Sequence, residues 1–377
     1  MNILNFTEKH EAYRNRFKSF LQSEVTPYIE EWERDHMHPK SIWKKMGAEG
    51  FLCPWVSPEY GGMGEDLLYS MVINEELAKT NHAGLMVYLH SDIVVPYLET
   101  FGSTEQKKRY LPGCVTGDTI MAVAMTEPDT GSDIAAIATT AVEEGDEVVI
   151  NGSKTFISIG LNCDLVVVAA KDPAIEKPHQ ALSLYLVEDG TPGFNKGSKI
   201  DKMGMHSQDT AELYFNNCRI PKTNCLGEKG KGFVMLMQKL QQERLMVAMQ
   251  AIASSEFALE WLIDYCKQPS AKNLQSQDVQ FALAEMATEV KIGKTFVYKL
   301  MADHLEKLDV VQETSMAKYW TTDLLKRITG RGLDLIGSYG IQENCPLVRT
   351  WRDAQIYSIF AGTNEIMKTI ISKQLFR

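Results

Sequence analysis

The residue in this chain best suited to acid–base chemistry is Glu243. Leu236, Leu240, Glu243 and Val247 recur at helical spacing, so a carboxylate occupies a slot in an otherwise apolar stripe. Such a group pairs with a cation across a helix bundle, reaches solvent, or stays buried and unpaired. In the last case burial disfavours the charged form, the pKa rises, and the carboxylate becomes a proton acceptor matched to neutral pH. Two loops offer complementary chemistry. Ala124-Met125-Thr126-Glu127-Pro128-Asp129-Thr130-Gly131-Ser132-Asp133 combines small residues and hydroxyls with a sharp path set by Pro128 and Gly131. That leaves backbone N–H groups to face a flat, hydrogen-bonding ligand, although an ordinary polar turn has the same composition. Near the C-terminus, Tyr357-Ser-Ile-Phe-Ala361-Gly362-Thr363-Asn364-Glu365 reads as a Gly-Thr turn between helices. Other chemistries find less support. His82, His90 and His206 lack metal-ligand spacing, and neither a Ser-His-Asp order nor a Gly-x-Ser-x-Gly elbow is visible. The run Gly227-Glu-Lys-Gly-Lys-Gly232 lacks the P-loop pattern and reads as a linker, and no metal site is expected.

The elements that must position these groups fall into three textures. From Glu8 to about Gly113 apolar residues recur at helical spacing, as in Phe17, Phe20 and Leu21 or Ile93, Val94, Tyr97 and Leu98. Pro96 inside the last of these predicts a kink. From Thr119 to about Leu226 short β-branched runs take over. Glu147–Ile150, the turn Asn151-Gly152 and Lys154–Ser158 read as a hairpin, and Asp164–Ala169, Leu182–Val187 and Glu212–Phe215 as further strands. From Gly232 onward long amphipathic helices return, interrupted at Pro269-Ser-Ala-Lys-Asn and Gly337-Ser-Tyr-Gly340. The expected fold class is α+β: an N-terminal helical domain (1–120), a middle β-barrel or sandwich domain (121–228) and a C-terminal helical bundle (229–377).

At 377 residues the chain exceeds one core, and its formal charge of -10 argues against a nucleic-acid partner. Seven cysteines without a CxxC pair predict reduced thiols and a cytoplasmic setting. No apolar run reads as long enough to span a bilayer, so neither export nor insertion is expected.

Two stretches, Met125-Thr-Glu-Pro-Asp-Thr-Gly-Ser-Asp133 and Ile359-Phe-Ala-Gly-Thr-Asn-Glu-Ile366, resemble hallmarks of the acyl-CoA dehydrogenase family. The likeness covers essentially the whole chain. Tyr60-Gly-Gly62, Gly152-Ser-Lys-Thr-Phe-Ile-Ser158, Lys202-Met-Gly204, Asp209-Thr-Ala-Glu-Leu213, Gln242-Glu-Arg244 and Trp351-Arg-Asp353 follow in family order, and the pattern is most similar to the long-chain type. The resemblance implies an FAD-dependent enzyme whose C-terminal region is a four-helix bundle, and which converts acyl-CoA to trans-2-enoyl-CoA, passes electrons to an electron-transfer flavoprotein, and assembles as a homodimer or homotetramer. It also implies roles for particular residues. Met125, Thr126, Phe156, Ser158, Gln277, Gly337, Thr363 and Glu365 would contact the cofactor, and Ser132 the cofactor or the pantetheine arm. Gln242, Arg244, Ala361 and Gly362 would contact the acyl thioester.

Many family members carry the base just before the Gly-Thr pair, where this chain has Ala361. Long-chain and isovaleryl-type members place it at the position matching Glu243, which makes Glu243 the expected catalytic base and leaves Ala361 a backbone donor. Two departures fall on the cross-subunit half of the cofactor site. The stretch from Lys267 to Gln277 has no Arg, Phe or Gly, leaving Lys267 or Lys272 as substitutes, and Asp334 with Ser338 replace the family's Gln and Gly. Alternative readings are therefore an acyl-carrier-protein-linked dehydrogenase in biosynthesis and a cofactor-poor, non-catalytic thioester-binding homologue.

Overall fold

The computed structural model describes residues 3–376, with Lys272 and Asn273 described in their backbone only. The first region contains six α-helices: α1 (Glu8–Glu24), α2 (Ile29–Asp35), α3 (Ser41–Ala48), α4 (Leu67–Ala78), α5 (Val95–Phe101) and α6 (Thr104–Thr116). Their starts are written in the sequence. The Asp66 carboxylate caps α4 by accepting from Leu68 N–H, and Ser103 with Gln106 closes a capping box on α6. Every residue of α4 is buried, so this helix is the spine of the region.

Pro96 acts as the sequence suggests, by a specific route. The segment Leu89–Val94 just before α5 winds as a π-helix. Proline has no N–H for the carbonyl four residues back, and its ring crowds that carbonyl, so a wider turn is the local solution. The carbonyl released is that of Asp92.

The middle region is one eight-stranded mixed sheet in the order β6-β7-β3-β2-β4-β5-β8, with β1 pairing β4 in parallel. The strands are β1 (Met121–Ala124), β2 (Thr140–Glu144), β3 (Glu147–Ser158), β4 (Leu165–Lys171), β5 (Leu182–Glu188), β6 (Phe194–Lys199), β7 (Thr210–Pro221) and β8 (Cys225–Leu226), with a short helix α7 (Pro178–Ala181) before β5. Its two halves meet through one bridge, Thr140 to Lys171, and close over a core of their own. Strand β4 explains its unbroken apolar sequence. Val166, Val168 and Ala170 face that inner core, while Leu165, Val167 and Ala169 face the main core shared with the helices.

The hairpin expected at Asn151-Gly152 does not form. Strand β3 runs straight through these residues, and the tight turn lies earlier, at Gly145 between β2 and β3. Gly152 sits instead at a bulge against β7, with φ 150°, and a Cβ there would stand 2.5 Å from the Thr139 hydroxyl. The glycine is a close-approach residue within a strand, which short-range turn signals do not separate from a hairpin.

The last region contains α8 (Gly232–Cys266), α9 (Gln277–Leu305), α10 (Val311–Ile336), α11 (Pro346–Tyr357) and α12 (Asn364–Leu375). Helix α8 packs on both α9 and α10, and α10 also carries α11 and α12. Contrary to the expectation above, α8 is long and apolar enough to cross a membrane by length and composition. In this fold 72% of its most apolar window is buried, so its hydropathy reflects contact on several sides at once.

Candidate active site

The stripe on α8 is buried along its length at Leu236, Leu240, Glu243 and Val247. Glu243 is buried with them, and its Oε2 has no hydrogen-bond partner among the described residues. No ion pair engages it among the described residues, so the outcome is the unpaired one. Burial pushes its pKa up to about 7, against the opposing pull of the Arg244 and Lys318 charges. Arg244 is buried beside it, with Nε likewise unpartnered. The preceding residue fastens α8 in place. Gln242 Nε2 donates to the Asp92 carbonyl at 2.6 Å, the group Pro96 leaves without an α-helical donor. The Asp92 side chain accepts from Ser70 Oγ at 2.6 Å and Trp55 Nε1 at 3.2 Å, and burial raises its pKa to about 7.

Across from this cluster lies the turn before α12. Ala361 and Gly362 both adopt left-handed backbone, with φ 55° and 85°. Among the described residues neither of their N–H groups bonds to another protein group. Their carbonyl side is held by a residue that the sequence reading passed over. Lys318 Nζ donates to the Gly362 carbonyl at 2.7 Å and to Asn364 Oδ1 at 3.1 Å. Asn364 in turn donates to Thr322 Oγ1 and Asp323 Oδ1, and Thr363 Oγ1 caps α12 by accepting from Ile366 N–H. Burial lowers the Lys318 pKa to about 7, and the Arg244 charge acts in the same direction. A signal for it existed. Thr314, Ala317, Lys318, Thr321, Leu324, Leu325 and Ile328 form the buried face of α10, so Lys318 interrupts its stripe much as Glu243 interrupts that of α8.

The loop after β1 is clamped from β3. Lys154, fully buried, donates to the Met125 carbonyl at 3.1 Å and to Glu127 Oε1 at 2.7 Å, while Thr155 N–H donates to the Thr126 carbonyl at 2.9 Å. Glu127 also accepts from the N–H groups of Ala138 and Thr139. Among the described residues the Thr126 N–H donates to no protein group. Phe156 breaks the β3–β7 register between Lys154 and Ile157, takes a φ of 57°, and stands 64% exposed. A bulky residue in left-handed backbone with an exposed ring is strained and solvated at once, a combination that clusters at ligand sites. Ser158 pairs with Thr210 at the end of the same strand, and Ser132 lies exposed on the loop.

Three groups of candidate residues therefore emerge. Glu243 and Arg244 lie within electrostatic range of Lys318, which bonds the carbonyl side of the Ala361-Gly362 turn, whereas Met125, Thr126, Phe156 and Ser158 share the β3 side of the sheet. Gln277 begins α9, Gly337 follows α10 with φ 61°, and both are exposed, as are Asp334 and Glu365. Lys267 pairs with Asp264 at 3.4 Å on the surface, and the Lys272 side chain lies outside the described residues. The Gln242 carboxamide is engaged by the π-helical segment.

Comparison with known proteins agrees along the whole chain. Residues 7–118, 122–218 and 230–376 match the N-terminal, middle and C-terminal domains of acyl-CoA dehydrogenase. The rat mitochondrial long-chain specific acyl-CoA dehydrogenase is 40% identical over 98% of this chain and 87% of its own length. The crystal structure of an acyl-CoA dehydrogenase from Geobacillus kaustophilus superposes with a TM-score of 0.96 at 48% identity, covering 98% of each chain. A chain in a structure titled for the electron transferring flavoprotein of Acidaminococcus fermentans superposes at 0.94 with 34% identity, covering 99% of each. Domain order, sheet and helical regions agree with these relatives, and the chain belongs to the acyl-CoA dehydrogenase family.

Proposed function

We propose that this protein oxidises the bond between the α and β carbons of an acyl-CoA thioester, with Glu243 as the base. The observation that carries this is the buried, unpartnered Glu243 carboxylate with its pKa near neutrality. A carboxylate at about 7 is ionised often enough at physiological pH to accept a proton, and basic enough to hold it. The free N–H groups of Ala361 and Gly362 supply donors for the thioester oxygen, which makes the neighbouring C–H more acidic. Lys318 keeps that turn in register by holding the Gly362 carbonyl. FAD, when bound, supplies the hydride acceptor for the β carbon. The β3 side of the sheet fits a flat ring system: Phe156 presents an exposed face and Thr126 an N–H that no described protein group accepts. On this reading Met125, Thr126, Phe156 and Ser158 contact the ring, Ser132 the phosphates or pantetheine, and Gln277, Gly337, Thr363 and Glu365 the remainder. The stretch from Lys267 to Gln277 contains no arginine, and the exposed carboxylate of Asp334 repels a pyrophosphate, which predicts weaker FAD binding than a cationic clamp provides.

The partners follow from the same reading. Reduced flavin needs an electron acceptor, and an electron-transfer flavoprotein is consistent with family membership and with the Acidaminococcus relative. Self-association as a dimer or tetramer is supported by the apolar side chains that α9 and α12 leave exposed, among them Phe281, Ile292 and Leu375. A reducing, cytoplasmic setting is supported by seven unpaired cysteines.

The test is the visible spectrum of the purified protein before and after adding FAD, followed by anaerobic addition of acyl-CoA. Flavin bands that bleach with acyl-CoA are expected. Absence of flavin bands after FAD addition would return the cofactor-poor, non-catalytic reading, and bleaching by an acylated carrier protein alone would move the substrate to that carrier.

A further inference from the structure

Two buried tyrosines lie within electrostatic reach of Glu243. Tyr88 and Tyr97 bracket the π-helical segment that Gln242 ties to α8, one residue from the base. Tyr88 and Tyr97 are 2% and 0% exposed, and neither hydroxyl has a hydrogen-bond partner among the described residues. Burial raises both pKa values, and the Glu243 charge raises them further, so each phenol remains a donor and lies within electrostatic reach of the carboxylate. Buried hydroxyls are almost always bonded, and a donor left without an acceptor is costly. Tyr357 also has an unpartnered hydroxyl among the described residues and raises the Tyr88 pKa, and it lines a small cavity with Gln250 and Asp353. A simple alkyl chain beside Glu243 offers Tyr88 and Tyr97 nothing to donate to.

We propose that the acyl chain accepted beside Glu243 carries a neutral oxygen function, a hydroxyl group, held by the Tyr88 and Tyr97 hydroxyls. This rests on the acyl-CoA dehydrogenase reading and adds the chemical class of its substrate. The oxygen is neutral because Glu243 must be an anion to remove a proton. A second carboxylate near it opposes that ionisation, and Arg244, the adjacent cation, only partly offsets the burial of Glu243. A site built around polar groups discriminates strongly against analogues that lack the matching atom.

The experiment uses FAD-reconstituted protein, hexanoyl-CoA, and hydroxyhexanoyl-CoA bearing its oxygen on the fourth, fifth or sixth carbon. At least one hydroxylated chain is expected to exceed hexanoyl-CoA in kcat/KM by about tenfold or more. Tyr88→Phe and Tyr97→Phe keep the ring and remove the donor. Each is expected to lower that ratio about tenfold, with hexanoyl-CoA improving as the hydroxylated chain worsens. Turnover of hexanoyl-CoA equal to or better than every hydroxylated chain overturns the substrate class while leaving the dehydrogenase reading intact. So does a ratio unchanged in both variants, the result expected if the hydroxyls only hold water. Failure of all four thioesters to bleach the flavin overturns both readings.

Discussion

Replacing Glu243 by glutamine separates two consequences of burying a carboxylate. The group is held at about 7 instead of its ordinary 4.5, and each tenfold step is worth about 1.4 kcal/mol, so its charged form costs the folded state about 3 kcal/mol. The sign follows from proton linkage. Below roughly pH 4.5 folded and unfolded chains both hold the proton, and nothing is lost. As pH rises toward about 7 the unfolded chain ionises first, stability declines, and above about 7 the whole cost is present. Glutamine keeps the shape and stays neutral throughout. The variant should therefore match the wild type near pH 4 and exceed it by about 3 kcal/mol near pH 8. Turnover should meanwhile fall by about 100- to 10,000-fold, the usual contribution of a general base. Urea titrations at the two pH values, run beside turnover assays, read both effects, and wild-type kcat/KM should rise with pH through about 7. A stability difference that is the same at both pH values would show that the carboxylate is not raised. Retained turnover would remove Glu243 as the base.

Two further substitutions probe the supports around it. Lys318→Met removes the donor to Gly362 and a positive charge that lowers the Glu243 pKa. The pH profile of kcat/KM should shift to higher pH and turnover should fall by about 10- to 100-fold; an unmoved profile would show that Lys318 serves folding alone. Lys154→Met strands the buried Glu127 carboxylate and should cost about 3–5 kcal/mol by chemical denaturation. Adding Glu127→Gln removes the stranded charge while keeping an acceptor for Ala138 and Thr139, so part of that loss should return.

How much of this was legible in the chain depends on the range of each signal. Periodicity alone placed Glu243 in a buried stripe, since every position of an amphipathic helix inherits the environment of its face. The same argument was available for Lys318 on α10 but is weaker there, because threonines and serines share its buried face and blur the apolar pattern. Asn151-Gly152 misled because a turn dipeptide and a bulge dipeptide have one composition. Only pairing with β7 and contact with Thr139 decide between them. The apolar run of α8 likewise has two physical causes, lipid or protein on all sides, and its packing against α9, α10 and the N-terminal helices selects the second.

Taken by itself, the sequence determined the order of helical, β and helical regions, the family motifs, and the presence of a carboxylate in an apolar stripe, all of which depend on residues near one another in the chain. Tertiary structure decided that this carboxylate has no cation bonded to it, that Lys318 holds the Gly362 turn 44 residues further along, and that Tyr88 and Tyr97 keep their hydroxyls buried beside α8. Those outcomes rest on which side chains meet across the fold, and local spacing carries no record of the meeting.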